Sequence, residues 1–449
     1  MKIAPKTNNI PDKWYNIIPD LDFSVPPMMS SSGYALSHHD LDYLSPYYIV
    51  EQELEREKRD LSIPKEVREF YSNWRPTPLY RAERLEKSLE TPARIFYKHE
   101  GGSPSGSHEM NTAIAQAYYA VQDEGVEYMV SATGNGEWGA ALAIACNYFG
   151  IHCKLYMVRS SYEQKVYGRY AMEILGAEVV PSPSDKTFIG KKILAQDPDS
   201  PGSLSIALSE AFQEANSRDD VKFSWGTVMN HVVLHQTVIG LEARSQMRQA
   251  GASPDVIICA VSGGSGLGGL AFPFYQAGGR GPRIMAVETA ACPSLSKGRY
   301  AYDFGDTEGL SPMLKMYTLG HSFIPPDIRA GGMRYHGISP LVSALYREKQ
   351  IEAKVYMQRK AFEAAITFAR TEGLIPSPET SYAVAAVVDE ALACKQRKEK
   401  KNILFLVDGN SNLDLATFKD FAAGAIEDES FPEENAQAAL EQVSEITPP

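Results

Sequence analysis

The sequence is short of the features that commit a chain to an unusual environment. Five cysteines (Cys146, Cys153, Cys259, Cys292, Cys394) are an odd number with no paired metal-type spacing, which argues against a disulfide framework and a cysteine-based metal centre. Most lie inside apolar runs, as reduced and partly buried thiols do. No apolar run approaches the length of a membrane span, and no basic segment followed by an apolar core stands near the N-terminus, so the expected compartment is the cytoplasm. Cations are outnumbered: 44 Lys and Arg against 56 Asp and Glu give a net charge of −12. That balance recommends neither nucleic acid nor an anionic membrane as a partner. The basic cluster at 395–401 reads as a solvated helix end. What remains is an ordinary globular chain, with 44% hydrophobic residues and 22% charged ones among 449. Length alone favours two or three folding units.

Residues 1–75 are irregular, rich in Pro and aromatics, with one charged helical stretch near 48–60; such a segment drapes over a core. Regular alternation follows. A strand at 94–98 and a helix at 108–124 precede a strand at 127–131, the loop Ala132-Thr133-Gly134-Asn135-Gly136 and a helix at 137–149. A strand at 152–158, a helix at 161–175 stopped by Gly176, a strand at 177–181 and a helix at 185–196 complete the first run. The second run has a helix at 232–250, a strand at 255–261, the loop Ser262-Gly263-Gly264-Ser265-Gly266 and a strand at 283–288. Helices at 355–371 and 378–395 lead to a last strand at 402–407 and the loop Asp408-Gly409-Asn410. The alternation predicts an α/β fold of two three-layer subdomains with mainly parallel sheets. The expected division is an extension over 1–75, subdomains over 76–230 and 231–425, and a loosely held acidic tail over 426–449.

Ligands of open parallel sheets bind beyond the carboxyl ends of the strands. The loop 262–266, ahead of a helix, can hold a phosphate or carboxylate on its backbone N–H groups, or be a tight turn and nothing more. The loop 132–136 poses the same choice for a substrate carboxylate. The segment Ser103-Pro-Ser-Gly-Ser-His-Glu-Met-Asn111 joins His, Glu and Asn just before a helix, which capping by Ser107 would also explain.

The order and spacing of several motifs decide more. Arg75-Pro-Thr-Pro-Leu79, Tyr97-Lys-His-Glu-Gly101, Ser107-His-Glu-Met-Asn-Thr112, Thr133-Gly-Asn-Gly-Glu-Trp-Gly139 and Gln236-Thr-Val-Ile-Gly240 resemble the tryptophan synthase β family. The type 2 branch, which lacks a dedicated α-subunit partner, is the most similar. Met157-Val-Arg, Ala286-Val-Glu288 and Asp306 extend the resemblance over about residues 10–420. It implies fold type II of the pyridoxal-phosphate enzymes, with the cofactor between two subdomains in a homodimer. The family's Schiff-base lysine falls on Glu109, its indole-step glutamate on Ala132, a glutamine on Glu137, and the serine meeting the pyridine nitrogen on Asp408. His108, Gly263, Gly264, Ser265 and Glu288 remain as the family would have them, while the family's phosphate cup Gly-Gly-Gly-Ser-Asn departs here at Ser262 and Gly266. Lys98 and Lys165 match lysines the family already has beside the catalytic one.

A carboxylate forms no imine with an aldehyde. Carboxyls converging in a cleft repel, so one keeps a proton near neutrality and serves as acid to another's base. An ionised Glu109 also disfavours a phosphate nearby. The expected protein is therefore a repurposed enzyme with no bound cofactor, acting by acid–base chemistry (cyclisation, isomerisation, elimination or condensation) on a small, cationic or indole-like molecule. Glu109, Asp408, Glu137 and His108 would be catalytic. Ser262, Gly263, Gly264, Ser265, Gly266 and Glu288 would be a vestigial phosphate site, and Thr133, Gly134, Asn135, Gly136 and Asn111 would hold substrate. Two alternatives stand beside this: a non-catalytic homologue that binds a ligand or steadies a partner, and an enzyme holding pyridoxal phosphate non-covalently.

Overall fold

Two mainly parallel sheets meet along a cleft in the computed structural model, which describes residues 2–3, 10–279 and 281–443. The larger has seven strands in the order Lys2–Ile3, Leu79–Arg81, Arg94–His99, Asn402–Val407, Val256–Ala260, Arg283–Thr289 and Glu352–Tyr356. Its first two neighbour pairs are antiparallel and the rest parallel. The smaller has four parallel strands ordered Glu178–Ser182, His152–Val158, Tyr128–Thr133 and Val221–Phe223.

Strands buried on both faces read as unbroken apolar runs, and Val256–Ala260 and Asn402–Val407 do so. Their alternate side chains go to opposite faces. Ile257, Cys259, Leu404 and Leu406 enter one hydrophobic cluster; Val256, Ile258, Ile403, Phe405 and Val407 enter another. The small sheet divides likewise, with Met129, Leu155 and Met157 on one side and Val130, Ala132 and Tyr156 on the other. Helix Asn230–Gln249 is buried along most of its length. The N-terminal segment lies on it: the Trp14 ring packs, tilted, 4.4 Å from the His235 ring, and the Tyr15 N–H donates to Thr237 Oγ1. Glu53 of helix Tyr47–Leu54 accepts from His231.

Several expectations are corrected. Strands 79–81 and 94–99 pair into the large sheet, so the boundary at 230 does not separate the two units in space. The reason is charge as well as register. Arg75 and Lys98, both fully buried, bond Glu100 and Glu242, tying this segment to helix Asn230–Gln249. The expected helix 161–175 breaks at Lys165, which has non-helical φ −104° and ψ 55°. The start of the expected helix 355–371 is strand Glu352–Tyr356. The tail is not loose throughout: helix Glu433–Glu441 buries Ala436 and Ala439 against Cys292, Leu319 and Phe323. Helix Leu204–Asn216 and the hairpin Arg299–Phe304 with Met313–Thr318 add elements that periodicity did not reveal. Among the described residues no helix is long and apolar enough to cross a membrane.

Candidate active site

Strand ends build the site. Strand Tyr128–Thr133 runs into the turn at Gly136, whose φ of +97° only glycine adopts without strain, and then into helix Glu137–Phe149. Strand Val256–Ala260 runs into Gly264, at φ +98°, and helix Ser265–Ala271. Strand Asn402–Val407 delivers Asp408. Its loop clasps the segment before helix Met110–Ala120, since the His108 N–H donates to the Asp408 carbonyl and the Asn410 N–H to the Gly106 carbonyl. These loops enclose a cavity of about 110 Å³.

His108, Glu109, Thr133, Gly134, Asn135, Glu137, Ser262, Ser265, Gly266 and Asp408 all line it, together with Glu379, Thr227 and Trp225. The predicted convergence of the acids is thus a feature of the fold. Glu109 is poorly hydrogen-bonded, with Ser107 Oγ 3.4 Å away. Burial first, then the fields of Glu379 and Asp408, raise its carboxyl to about 8. Burial and the Glu379 and Glu109 fields push Glu137 well above the usual carboxyl range. Burial raises Glu379 to about 7 against the pull of Lys165. Asp408 Oδ1 accepts hydrogen bonds from the Ser377 and Thr380 hydroxyls. Burial lowers His108, which keeps its ring neutral, and its Nδ1 has no partner.

Glu379 was not anticipated. Ser377-Pro-Glu-Thr is a capping sequence with proline at the first helical turn, and the Ser377 hydroxyl does accept from the Thr380 N–H. The acid at the second helical position looked like dipole compensation. Its Oε1 instead accepts from Asn135 Nδ2 and the Gly332 N–H across the cleft, each at 2.9 Å.

Four predicted residues are not on the cavity lining: Gly263, which packs against Thr227, and Asn111, Glu288 and Gly136. Asn111 is fully buried and committed to structure, accepting from Arg75 and donating to Gln236. Glu288 accepts from the backbone N–H groups of Leu295 and Ser296, capping a short helix outside the cavity. Gly136 faces an adjoining chamber of about 250 Å³, which shares Asn135 and Glu137 with the main cavity and contains the Lys165–Asp414 ion pair.

Neighbouring side chains crowd the glycine loop. A Cβ on Gly263 would stand 2.1 Å from Thr227 Oγ1, and one on Gly266 would stand 3.4 Å from His108 Nε2. The hydroxyls of Thr227 and Ser339 are buried without partners, and the Ser339 N–H donates to the Gly263 carbonyl. Unpaired buried donors around glycine backbone fit a phosphate. The phosphate end of pyridoxal phosphate therefore suits the residues present, although no lysine lines the cavity.

Comparison with known proteins agrees. A family model described as pyridoxal-phosphate dependent enzyme matches residues 71–409. Tryptophan synthase beta chain 2 of Aquifex aeolicus is 51% identical over 434 residues, covering 95% of this chain and all of that one. The Methanosarcina mazei protein of the same name is 49% identical, covering 95% and 97%. A fungal L-serine ammonia-lyase from Rhizomucor miehei shares the fold, with a TM-score of 0.58 at 18% identity over 78% of this chain and 98% of its own. These findings overturn the expectation of a repurposed enzyme without cofactor. That reading let the charge at position 109 outweigh the glycine loop that the chain keeps at 263–265. The chain belongs to the tryptophan synthase β family of pyridoxal-phosphate dependent enzymes.

Proposed function

We propose that this protein is an enzyme that holds pyridoxal phosphate in the cleft between its sheets and acts on a small molecule there, with Glu109 in the place of the family's Schiff-base lysine. The observation that carries the reading is the cradle at 263–266 with its unpartnered Thr227 and Ser339 hydroxyls. Gly264, Ser265, Gly266, Thr227 and His108 would hold the phosphate. The cofactor, when bound, supplies an electron sink for carbanion chemistry.

The chain's own groups handle protons. Glu109 and Glu379, raised to about 8 and about 7, lie above and at neutral pH, so near neutrality Glu109 holds its proton while the partly ionised Glu379 can accept one. A protonated Glu109 also removes the repulsion that an ionised carboxylate would exert on a phosphate. Asp408, fixed by two hydroxyl donors, keeps one oxygen directed by Ser377 and Thr380. Trp138, Trp225, Leu204 and Leu208 exclude water from the apolar wall.

Calorimetric titration of the full chain with pyridoxal phosphate, followed in parallel by visible absorbance, tests the proposal. The expected result is saturable heat that Gly263→Ala abolishes. No heat at millimolar cofactor would sink it. The homodimer implied by the resemblance belongs to the same proposal, and light scattering on the purified chain tests it.

A further inference from the structure

We propose that the C-terminal helix Glu433–Glu441 is a detachable strap that holds one wall of the cleft in its binding geometry. This rests on the reading of the cavity as the active cleft. The helix is 9 residues long, and isolated helices shorter than about 12–15 residues are marginal in water. No side chain caps its first turn, and residues 427–430 before it are exposed and irregular. The segment is therefore helical because it is docked, and docking and helix formation are one two-state event.

The seat of the strap is apolar and close-fitting. Ala436 and Ala439 cluster with Cys292, Leu319 and Phe323, while Leu440 and Val443 cluster with Ala301. Gly320, at φ +98°, lets the helix backbone approach: a Cβ there would stand 2.6 Å from the Ala439 carbonyl carbon. Polar contacts edge the seat. Lys297 pairs with Glu433 and lies 4.8 Å from the centroid of the Phe431 ring, and Arg299 Nη1 donates to the Leu440 carbonyl. Asp303 braces the loop beneath by accepting from the Thr318 hydroxyl and the His321 ring, and Thr318 Oγ1 accepts from the Gly320 N–H.

The same loop backs the cleft. The Leu319 N–H donates to the His336 carbonyl, and Thr318 bridges to Gly337. Cys292 Sγ and the Ser294 hydroxyl both donate to the Tyr335 carbonyl, each at 3.3 Å. Gly331, Gly332, Met333 and Tyr335 of this stretch line the cavity. Two residues beyond Gly337, the Ser339 N–H donates to the Gly263 carbonyl in the glycine loop. Strap, seat, wall and glycine loop are thus joined by direct contacts. A ligand that needs the ordered wall and a helix that orders it favour one another reciprocally.

Hydrogen–deuterium exchange tests the strap in the intact protein, in a chain ending at Ser430, and in Ala439→Glu. The last drives a carboxylate against Gly320 without shortening the chain. Amides of 331–339 should exchange roughly tenfold faster in both altered chains, while strands Tyr128–Thr133 and His152–Val158 keep their rates. Ala439→Ser, which keeps a small side chain, should match the intact protein. Circular dichroism confirms that every variant folds. The dissociation constant for pyridoxal phosphate should rise roughly tenfold in the two detached chains. Exchange at 331–339 unchanged by detachment would overturn the inference. So would faster exchange spread evenly over both sheets, or cofactor affinity equal in intact and detached chains. Loosening of 331–339 in chains that bind no cofactor at all upholds it and rejects the cofactor reading.

Discussion

Replacing Glu109 by glutamine should stabilise the protein, and increasingly so as pH rises. The carboxyl is held at about 8 against an ordinary value of 4.5, chiefly by burial. The folded state thus prefers the protonated form. Stability is fully present below pH 4.5 and is lost as pH climbs towards 8, because the unfolded chain ionises freely while the folded one resists. Three and a half pH units at about 1.4 kcal/mol each set a ceiling of about 5 kcal/mol. The Glu379 carboxyl competes for the same proton, which brings the expected gain to about 2–3 kcal/mol at pH 9. Glutamine mimics the protonated acid in shape, and the contacts with Ser107 are long at 3.4 Å, so little is lost at pH 5. Thermal midpoints of wild type and Glu109→Gln measured from pH 5 to pH 9 should coincide at the acid end and separate by several degrees at the alkaline end. A gap that is constant with pH, or a variant less stable at pH 9, would refute the reasoning.

Three further outcomes are expected. Gly263→Ala forces a methyl against Thr227, at 2.1 Å from Oγ1 and 2.7 Å from Cγ2. It should cost about 1–3 kcal/mol, and inorganic phosphate should raise the thermal midpoint of the wild type but not of this variant. Glu242→Ala strips Arg75 and Lys98, whose side chains are fully buried, of a shared partner. Urea unfolding should show a loss of about 3–5 kcal/mol, more than any surface carboxylate removal gives. Truncation after Ser430 removes the helix that covers Cys292, which is 5% exposed, so a thiol reagent should label this cysteine in the truncated native protein and not in the intact one.

Most strands of both sheets and the loops at their ends could be read from the sequence because their signals are local, whereas the short strands Leu79–Arg81, Val221–Phe223 and Glu352–Tyr356 could not. Val256–Ala260 and Asn402–Val407 are apolar runs bounded by polar turns, and Gly136 and Gly264 stand where the chain must adopt positive φ. Helix Leu204–Asn216 escaped because its buried face carries serines and a glutamate, Ser205, Ser209 and Glu210, alongside apolar residues. Glu379 escaped because an acid in the first helical turn has an ordinary explanation, and only its contacts with Asn135 and Gly332, across the cleft, show otherwise. Asn111 and Glu288 misled for the opposite reason: their polarity is consumed by Arg75 and by a helix end.

By itself the sequence determined the α/β class, the family and the charge of the site, since each follows from residue identity, order and spacing. It also established that position 109 bears a carboxyl. The tertiary structure decided what that carboxyl meets. Burial and the neighbouring Glu379 and Asp408 set its protonation, and the cradle formed by Gly263, Thr227 and Ser339 brings together residues from three distant segments. Protonation and phosphate fit depend on solvent exclusion and on distances between such segments, and these exist only after the chain has folded.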